Sequence, residues 1–199
     1  LTAWSLVEIA KDLGAKAIIQ NAAAGALGQM IHRLAAKEGL QVIDIVRRED
    51  QKQTLENQGF ENVIISENAK FERELRVRAG KINATVALDA VGGEITGTMA
   101  ACMPNGSHVI VYGGLAGAAC SVHPGSLIFQ GQTVHGYWLS SYLAKKGALS
   151  LIRLSGKIQK LMHSELKSEV RQRYSLEQGE HAIKDYTQTM SGGKILITP

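Results

Sequence analysis

An apolar run at 16–20 (KAIIQ) leads into NAAAGALG at 21–28, and that turn opens a helical stretch reaching Lys37. A short, nearly continuous apolar run suits a strand buried on both faces. Across 25–37, Leu27, Ile31, Leu34 and Ala35 share one helical stripe, and Gly39 stops it. Read with the spacing G-x-G-x-x-G, the three small residues are Ala23, Gly25 and Gly28. The second must be small for the backbone to approach a pyrophosphate, and the third for the helix to pack close to the strand. A helix N-terminus at that point offers free N–H groups and a partial positive charge to phosphates. Taken alone, the same glycines also fit an ordinary tight strand-to-helix turn.

The surrounding order decides between the two. Strand-like runs at 41–46 (QVIDIV), 62–65 (NVII), 84–89 (ATVALD) and 107–112 (SHVIVY) alternate with helical stretches at 49–58, 70–79 and 93–103. A further helix opens the chain at 2–13. Strands separated by helices of about ten residues imply crossover units and a parallel sheet. The expected fold class is therefore α/β: a three-layer Rossmann fold with a doubly wound, mostly parallel sheet. Beyond Tyr112 the pattern loosens. Residues 113–125 read as a loop, 132–139 (QTVHGYWL) as a sixth strand at a sheet edge, and 144–163 as helix. The segment 170–174, a helix over 176–190 and a strand over 194–198 (KILIT) close the chain.

The end of the second strand bears on which dinucleotide fits. Where the cofactor is NAD, an acid about 20 residues past the glycine turn holds the ribose hydroxyls. Here that place is Val46, followed by Arg47 and Arg48. Two guanidiniums attract a 2′-phosphate and can bind its oxygens in a fork, which favours NADPH; solvated loop arginines are the alternative. Asp44 shares a strand face with Val46 but lies one pleat earlier, too early to reach a ribose. Two more strand ends carry glycines, at 89–93 (DAVGG, with Asp89 and Val91) and 112–114 (YGG, Tyr112, Gly113 and Gly114), where ligands of open α/β sheets bind.

Other chemistries find less support. Tyr142 and Lys146 form Y-x-x-x-K, but the T-G-x-x-x-G-x-G turn that accompanies this pair in short-chain dehydrogenases is replaced by NAAAGALG. A methyltransferase would want an acid where Val46 stands. The six histidines lack metal-ligand spacing, so no metal is expected. The net charge of +4 comes without a dense basic run, which argues against nucleic acid, and the longest apolar runs are shorter than a membrane span. Two cysteines with no paired framework suit a reducing cytoplasmic setting. The sequence lacks an initiator Met and begins within a helix, so a piece of a longer protein is expected.

These segments together resemble the cofactor domain of the medium-chain dehydrogenase/reductase superfamily. The zinc-independent quinone oxidoreductases and 2-enoyl thioester reductases are the nearest branch. LTAW, NAAAGALG, IVRRED, LDAVGG, VIVYGGLAG, SLIFQGQTVHGYWLS and GGKILITP fall in that family's order along essentially the whole chain. The resemblance implies that residues 1–169 form the NADPH-binding domain. Residues 170–199 would be a tail returning toward an amino-terminal GroES-like substrate domain that the chain lacks. It implies that Gly25, Ala26, Leu27 and Gly28 face the pyrophosphate and that Arg47 and Arg48 hold the 2′-phosphate. Tyr112, Gly113 and Gly114 would line the ribose and nicotinamide side. Tyr137, Trp138 and Leu139 would lie near the carboxamide, and Lys194 would approach a phosphate. The catalytic residues, supplied largely by the absent half, stay unassigned. Implied partners are a quinone, enone or enoyl thioester substrate and a second copy, paired through the strand near 132–139. A non-catalytic NADPH-binding or sensing module on the same fold is the alternative.

Overall fold

The structure, a computed structural model, describes residues 1–168, 170–188 and 193–199. Six strands form one parallel sheet: β1 (Ala17–Gln20), β2 (Gln41–Val46), β3 (Val63–Ile65), β4 (Val86–Asp89), β5 (His108–Val111) and β6 (Thr133–Gly136). Their order is β3-β2-β1-β4-β5-β6. The chain therefore winds outward from β1 to β3, returns to β4 beside β1, and winds outward again to β6.

The helices are α1 (Thr2–Asp12), α2 (Ala26–Lys37), α3 (Glu49–Glu56), α4 (Phe71–Ile82), α5 (Glu94–Cys102), α6 (Pro124–Ile128), α7 (Leu139–Ala144) and α8 (Ala148–Leu161). All four residues of β1 are buried, as are all four of β4. Register sorts their side chains between two layers. Ile18 lies beside Val42 and Val86 and packs with Leu6, Ile31 and Leu34 of α1 and α2. Ile19 lies beside Ile43 and Ala87 and packs with Leu75 and Met99 of α4 and α5. Alternation of side chains along a strand produces this division, and each large aliphatic buried contributes roughly 1.5–3 kcal/mol.

Past β5 the structure departs from the expected elements. The expected loop at 113–125 gives way near its end to α6, started by Pro124 in the first turn. The sixth strand is shorter than 132–139: after Gly136, Tyr137 N still donates to Val111 O, and Trp138 then caps α7. The expected helix over 144–163 starts later, as α8 at Ala148 capped by Gly147, and a separate short helix, α7, ends at Ala144 just before it. β7 (Val170–Ser175) and β8 (Lys194–Thr198) pair in parallel as a separate two-stranded sheet, with α9 (Gly179–Gln188) between them. Thr189 and Met190, the end of the helix expected over 176–190, lie outside the described residues.

Candidate functional site

Because all six strands of the main sheet run parallel, the residues following β1, β2, β4 and β5 gather along one edge. The strand order reverses between β1 and β4, and ligands of open α/β sheets bind in the crevice at such a point. The turn from β1 into α2 sits there. Ala23 is fully buried among Val46, Leu55 and Phe60, so it anchors the turn from below. Ala22 takes a left-handed conformation, φ +51°, and its carbonyl accepts from Gly25 N. A Cβ on Gly28 would lie 2.7 Å from Ala23 Cα and 2.8 Å from Ala22 O, so no larger residue fits without moving backbone.

Gly25 caps α2, and among the described residues no side chain caps it. The N–H groups of Ala26, Leu27 and Gly28 in its first turn have no intrahelical acceptor. Three aligned donors with the positive end of a 12-residue helix suit a bridging diphosphate.

Arg47 and Arg48 follow β2 directly, beside this turn. Arg47 is exposed and lies 3.5 Å from Glu67 Oε1. Arg48 is held by Asp50, and that pairing pushes the guanidinium up and the carboxyl down from their ordinary values. Asp44, two residues before Val46, is fully buried beneath α2. Gln20 Nε2 donates to its Oδ1 at 2.6 Å, and His32 Nδ1 meets its Oδ2 at 2.6 Å. It is therefore turned away from any ribose.

The turn after β4 is built around Asp89, which is fully buried. Its Oδ1 accepts from Asn21 Nδ2 at 2.6 Å, Val91 N at 2.8 Å and Gly92 N at 2.9 Å; its Oδ2 accepts from Thr96 Oγ1 at 2.6 Å. Asn21 Oδ1 also accepts from Ala90 N at 2.7 Å. Asp89 is expected at the cofactor; in the structure both its oxygens accept from the turn, so it holds that turn in shape. Asn21 and Thr96 were not singled out from sequence, although Asn21 is the first residue of the glycine turn.

Gly92 and Gly93 have φ of +71° and +70°. A Cβ on Gly113 would lie 2.5 Å from Ala90 O, so the end of β5 closes directly on the β4 turn, whereas Gly114 faces open space. Tyr112 packs against the cluster beneath α1 and α2, and burial, then Asp89, pushes its hydroxyl well up.

The remaining expected contacts are more scattered. The Tyr137 hydroxyl is hydrogen-bonded to Ser5, and Leu139 is half-buried in α7. Trp138 is 71% exposed. Tyr142 and Lys146 both bond to Glu8 of α1, which ties them to a helix-packing role. Lys194 is exposed on β8; its neighbour Gly193 lines a cavity of about 110 Å³ with Ala26, Gln29, Arg33, Thr54 and Lys167.

Residues 26–153 match the zinc-binding dehydrogenase family. The chain belongs to that family, within the medium-chain dehydrogenase/reductase superfamily. The enoyl-[acyl-carrier-protein] reductase of Bos taurus mitochondria is 29% identical over 129 residues, 63% of this chain and 35% of its own length. A candidate NADPH:quinone reductase of Mesorhizobium loti has a solved structure that covers all of this chain with a TM-score of 0.89 and 29% identity, through 57% of its own chain. The 2-enoyl thioester reductase of Candida tropicalis, solved as a heterodimer, shares the fold: TM-score 0.75, 21% identity, 94% of this chain and 54% of that one. This family member thus spans about a third of the curated relatives it matches and about half of the solved ones. Despite the family's description, among the described residues no group of three or more His, Cys, Asp or Glu is placed to hold a metal ion. Among the same residues no helix is long and apolar enough to cross a membrane.

Proposed function

We propose that this chain is the NADPH-binding half of an oxidoreductase whose whole form delivers hydride to a quinone, enone or enoyl thioester. One observation carries the choice of cofactor. The acid nearest the end of β2, Asp44, is buried and engaged by Gln20 and His32, while Arg47 and Arg48 stand beside the uncapped start of α2. A 2′-phosphate there meets two cations and no free carboxylate from the strand. The names of the relatives support the same reading, as does a turn that admits only glycine at position 28.

In this reading the first turn of α2 binds the pyrophosphate, and Arg47 and Arg48 bind the 2′-phosphate. The turns at 89–93 and 112–114 support the nicotinamide half, with Lys194 near a phosphate and Tyr137, Trp138 and Leu139 toward the carboxamide. The bound NADPH supplies the hydride; the chain orients it. Residues 1–169 act as the cofactor unit and 170–199 as a tail toward a substrate domain. Two free cysteines fit a reducing compartment such as the cytoplasm. β6, which among the described residues is the edge strand beside β5, is the surface we assign to pairing with a second copy.

The test is a parallel fluorescence titration of the chain with NADPH and NADH at matched salt. The reading expects tighter binding of NADPH; equal affinity for both overturns it. A longer form carrying the substrate domain should reduce quinones, enones or enoyl thioesters, while this chain alone binds cofactor and turns over none.

A further inference from the structure

One buried acid has no role in the site described above. Asp44 is fully buried in the middle of β2, and two side chains that bond to it come from different elements: Gln20 at the end of β1 and His32 on α2. Gln20 is itself fully buried, and its Nε2 donates to Gly28 O at 2.9 Å as well as to Asp44. His32 lies flat on Phe60, with ring centroids 3.7 Å apart, which fixes its imidazole.

The chemistry permits one arrangement of the Gln20 amide. Gly28 O can only accept, and Asp44 Oδ1 accepts from the same amide nitrogen at 2.6 Å. Both therefore need the NH₂ end, and turning the amide would set its oxygen against two acceptors. Gln20 Oε1 is accordingly left without a partner among the described residues. Buried polar atoms are nearly always paired. An arrangement that leaves one unpaired to hold two others shows how strongly those two contacts determine the amide.

We infer that Gln20, Asp44 and His32 form a positioning relay that fixes the first turn of α2, so that its N–H groups face the pyrophosphate. The inference rests on the NADPH reading above. Gly28 belongs to that first turn, and its carbonyl is tied by Gln20 to the end of β1. Asp44 holds Gln20 in place from β2, and His32 holds Asp44 from one helical turn further along α2. Without the relay the turn keeps its glycines but loses its lateral fixing, and three donors that must point at one diphosphate lose their common aim. Acting through the backbone of that turn, the relay should affect binding of the diphosphate alone.

Two probes separate positioning from mere stability. NADPH carries the pyrophosphate; adenosine 2′-monophosphate carries the 2′-phosphate and adenine without it. Gln20→Met should weaken NADPH by about tenfold, corresponding to about 1.4 kcal/mol, and leave adenosine 2′-monophosphate within about twofold. Asp44→Asn, whose amide oxygen still accepts from Gln20, should retain NADPH binding. Gln132→Met is the control for lost stability. It removes another buried amide, which donates to Ala100 O at 2.6 Å beside the opposite end of the sheet, and should lower the melting temperature without changing either affinity. If Gln20→Met does not fold, His32→Leu, at the relay's half-buried end, should show the same selectivity in smaller measure. Equal weakening of both probes, or no change for NADPH, overturns the relay while leaving the cofactor reading intact. Failure of the unaltered chain to bind either probe overturns both.

Discussion

Asp50 grips the guanidinium of Arg48 with both carboxylate oxygens: Nε to Oδ1 at 3.1 Å and a terminal nitrogen to Oδ2 at 3.2 Å. The fork that would bind a 2′-phosphate is thus already filled by a carboxylate two residues away. Asp50 also sits in the first turn of α3, where a negative charge is favoured by the helix dipole. Asp50→Asn should therefore release Arg48 and remove a like charge from the phosphate's neighbourhood. NADPH affinity should rise by about two- to fivefold, the range of an exposed ion pair, with NADH unchanged. A fall in NADPH affinity would show instead that Asp50 aims the guanidinium.

Arg48→Ala should lower NADPH affinity by about one to two decades, the loss of charge-assisted hydrogen bonds to the phosphate. NADH affinity should stay level, so the ratio of the two dissociation constants is the quantity to measure. Raised salt should shrink the ratio in the unaltered chain, because both partners are exposed.

Gly28→Ala and Gly114→Ala form a contrasting pair. The first sets a methyl 2.7 Å from Ala23 backbone, and the second sets one in open space. Overpacking of this kind destabilises by about 1–3 kcal/mol. Urea unfolding should show that loss for Gly28→Ala, together with loss of NADPH binding, and a near-unchanged midpoint for Gly114→Ala. Equal midpoints would contradict the close approach of turn and helix.

The segment after α8 is tied to α2. Lys37 Nζ meets Glu165 Oε1 at 2.7 Å, and Arg33 donates to the carbonyls of Glu165 and Lys167 at 3.0 and 2.9 Å. Lys37, then Ser164, holds the Glu165 carboxyl down to about 2. A depressed carboxyl stabilises the fold fully above its ordinary range and loses that contribution as pH falls through the folded value. Glu165→Gln should thus lower the melting temperature at neutral pH, by the equivalent of at most about 1 kcal/mol for so accessible a pair. The difference from the unaltered chain should vanish as pH approaches 2. A difference that persists there would assign the effect to packing.

Within β6, Thr133 N and Tyr137 N point inward to Ser107 O and Val111 O. Alternation turns the Val134 N–H outward, toward the open edge. Val134→Pro should spare the pairing with β5 and remove a donor from the edge. If copies join there, sedimentation at micromolar concentration should show a shift toward monomer. An unchanged distribution would move the interface elsewhere.

Periodicity carried most of the fold. Ile18 and Ile19 could be sent to opposite layers from alternation alone, and Gly28 could be marked as necessarily small from its place in the turn. Contacts between distant positions could not be read the same way. Asp44 is an ordinary strand acid until His32, on the following helix, is seen to lie against it. Asp89 ends a strand at the edge where ligands bind, and its bonds to Asn21 and Thr96, on other elements, are visible only in the structure. The short α6 is not legible in the sequence because five helical residues leave little periodic signal. Lys194 was placed by family order alone, since nothing local tells a phosphate contact from a solvated lysine.

The place where the strand order reverses has a bearing on how the chain folds. β1 meets β4 through residues far apart in sequence, Ile18 against Val86, whereas β1 and β2 are joined by a single crossover. Closing the longer loop carries the larger entropic penalty and delays that contact. The crevice between β1 and β4 therefore exists only once both halves of the sheet have joined. A ligand seated there recognises the folded sheet and no partly assembled form, and each tenfold rise in ligand above its dissociation constant lowers the unfolded population about tenfold by mass action. Occupancy of the crevice is in this sense a chemical record that folding has run to its end.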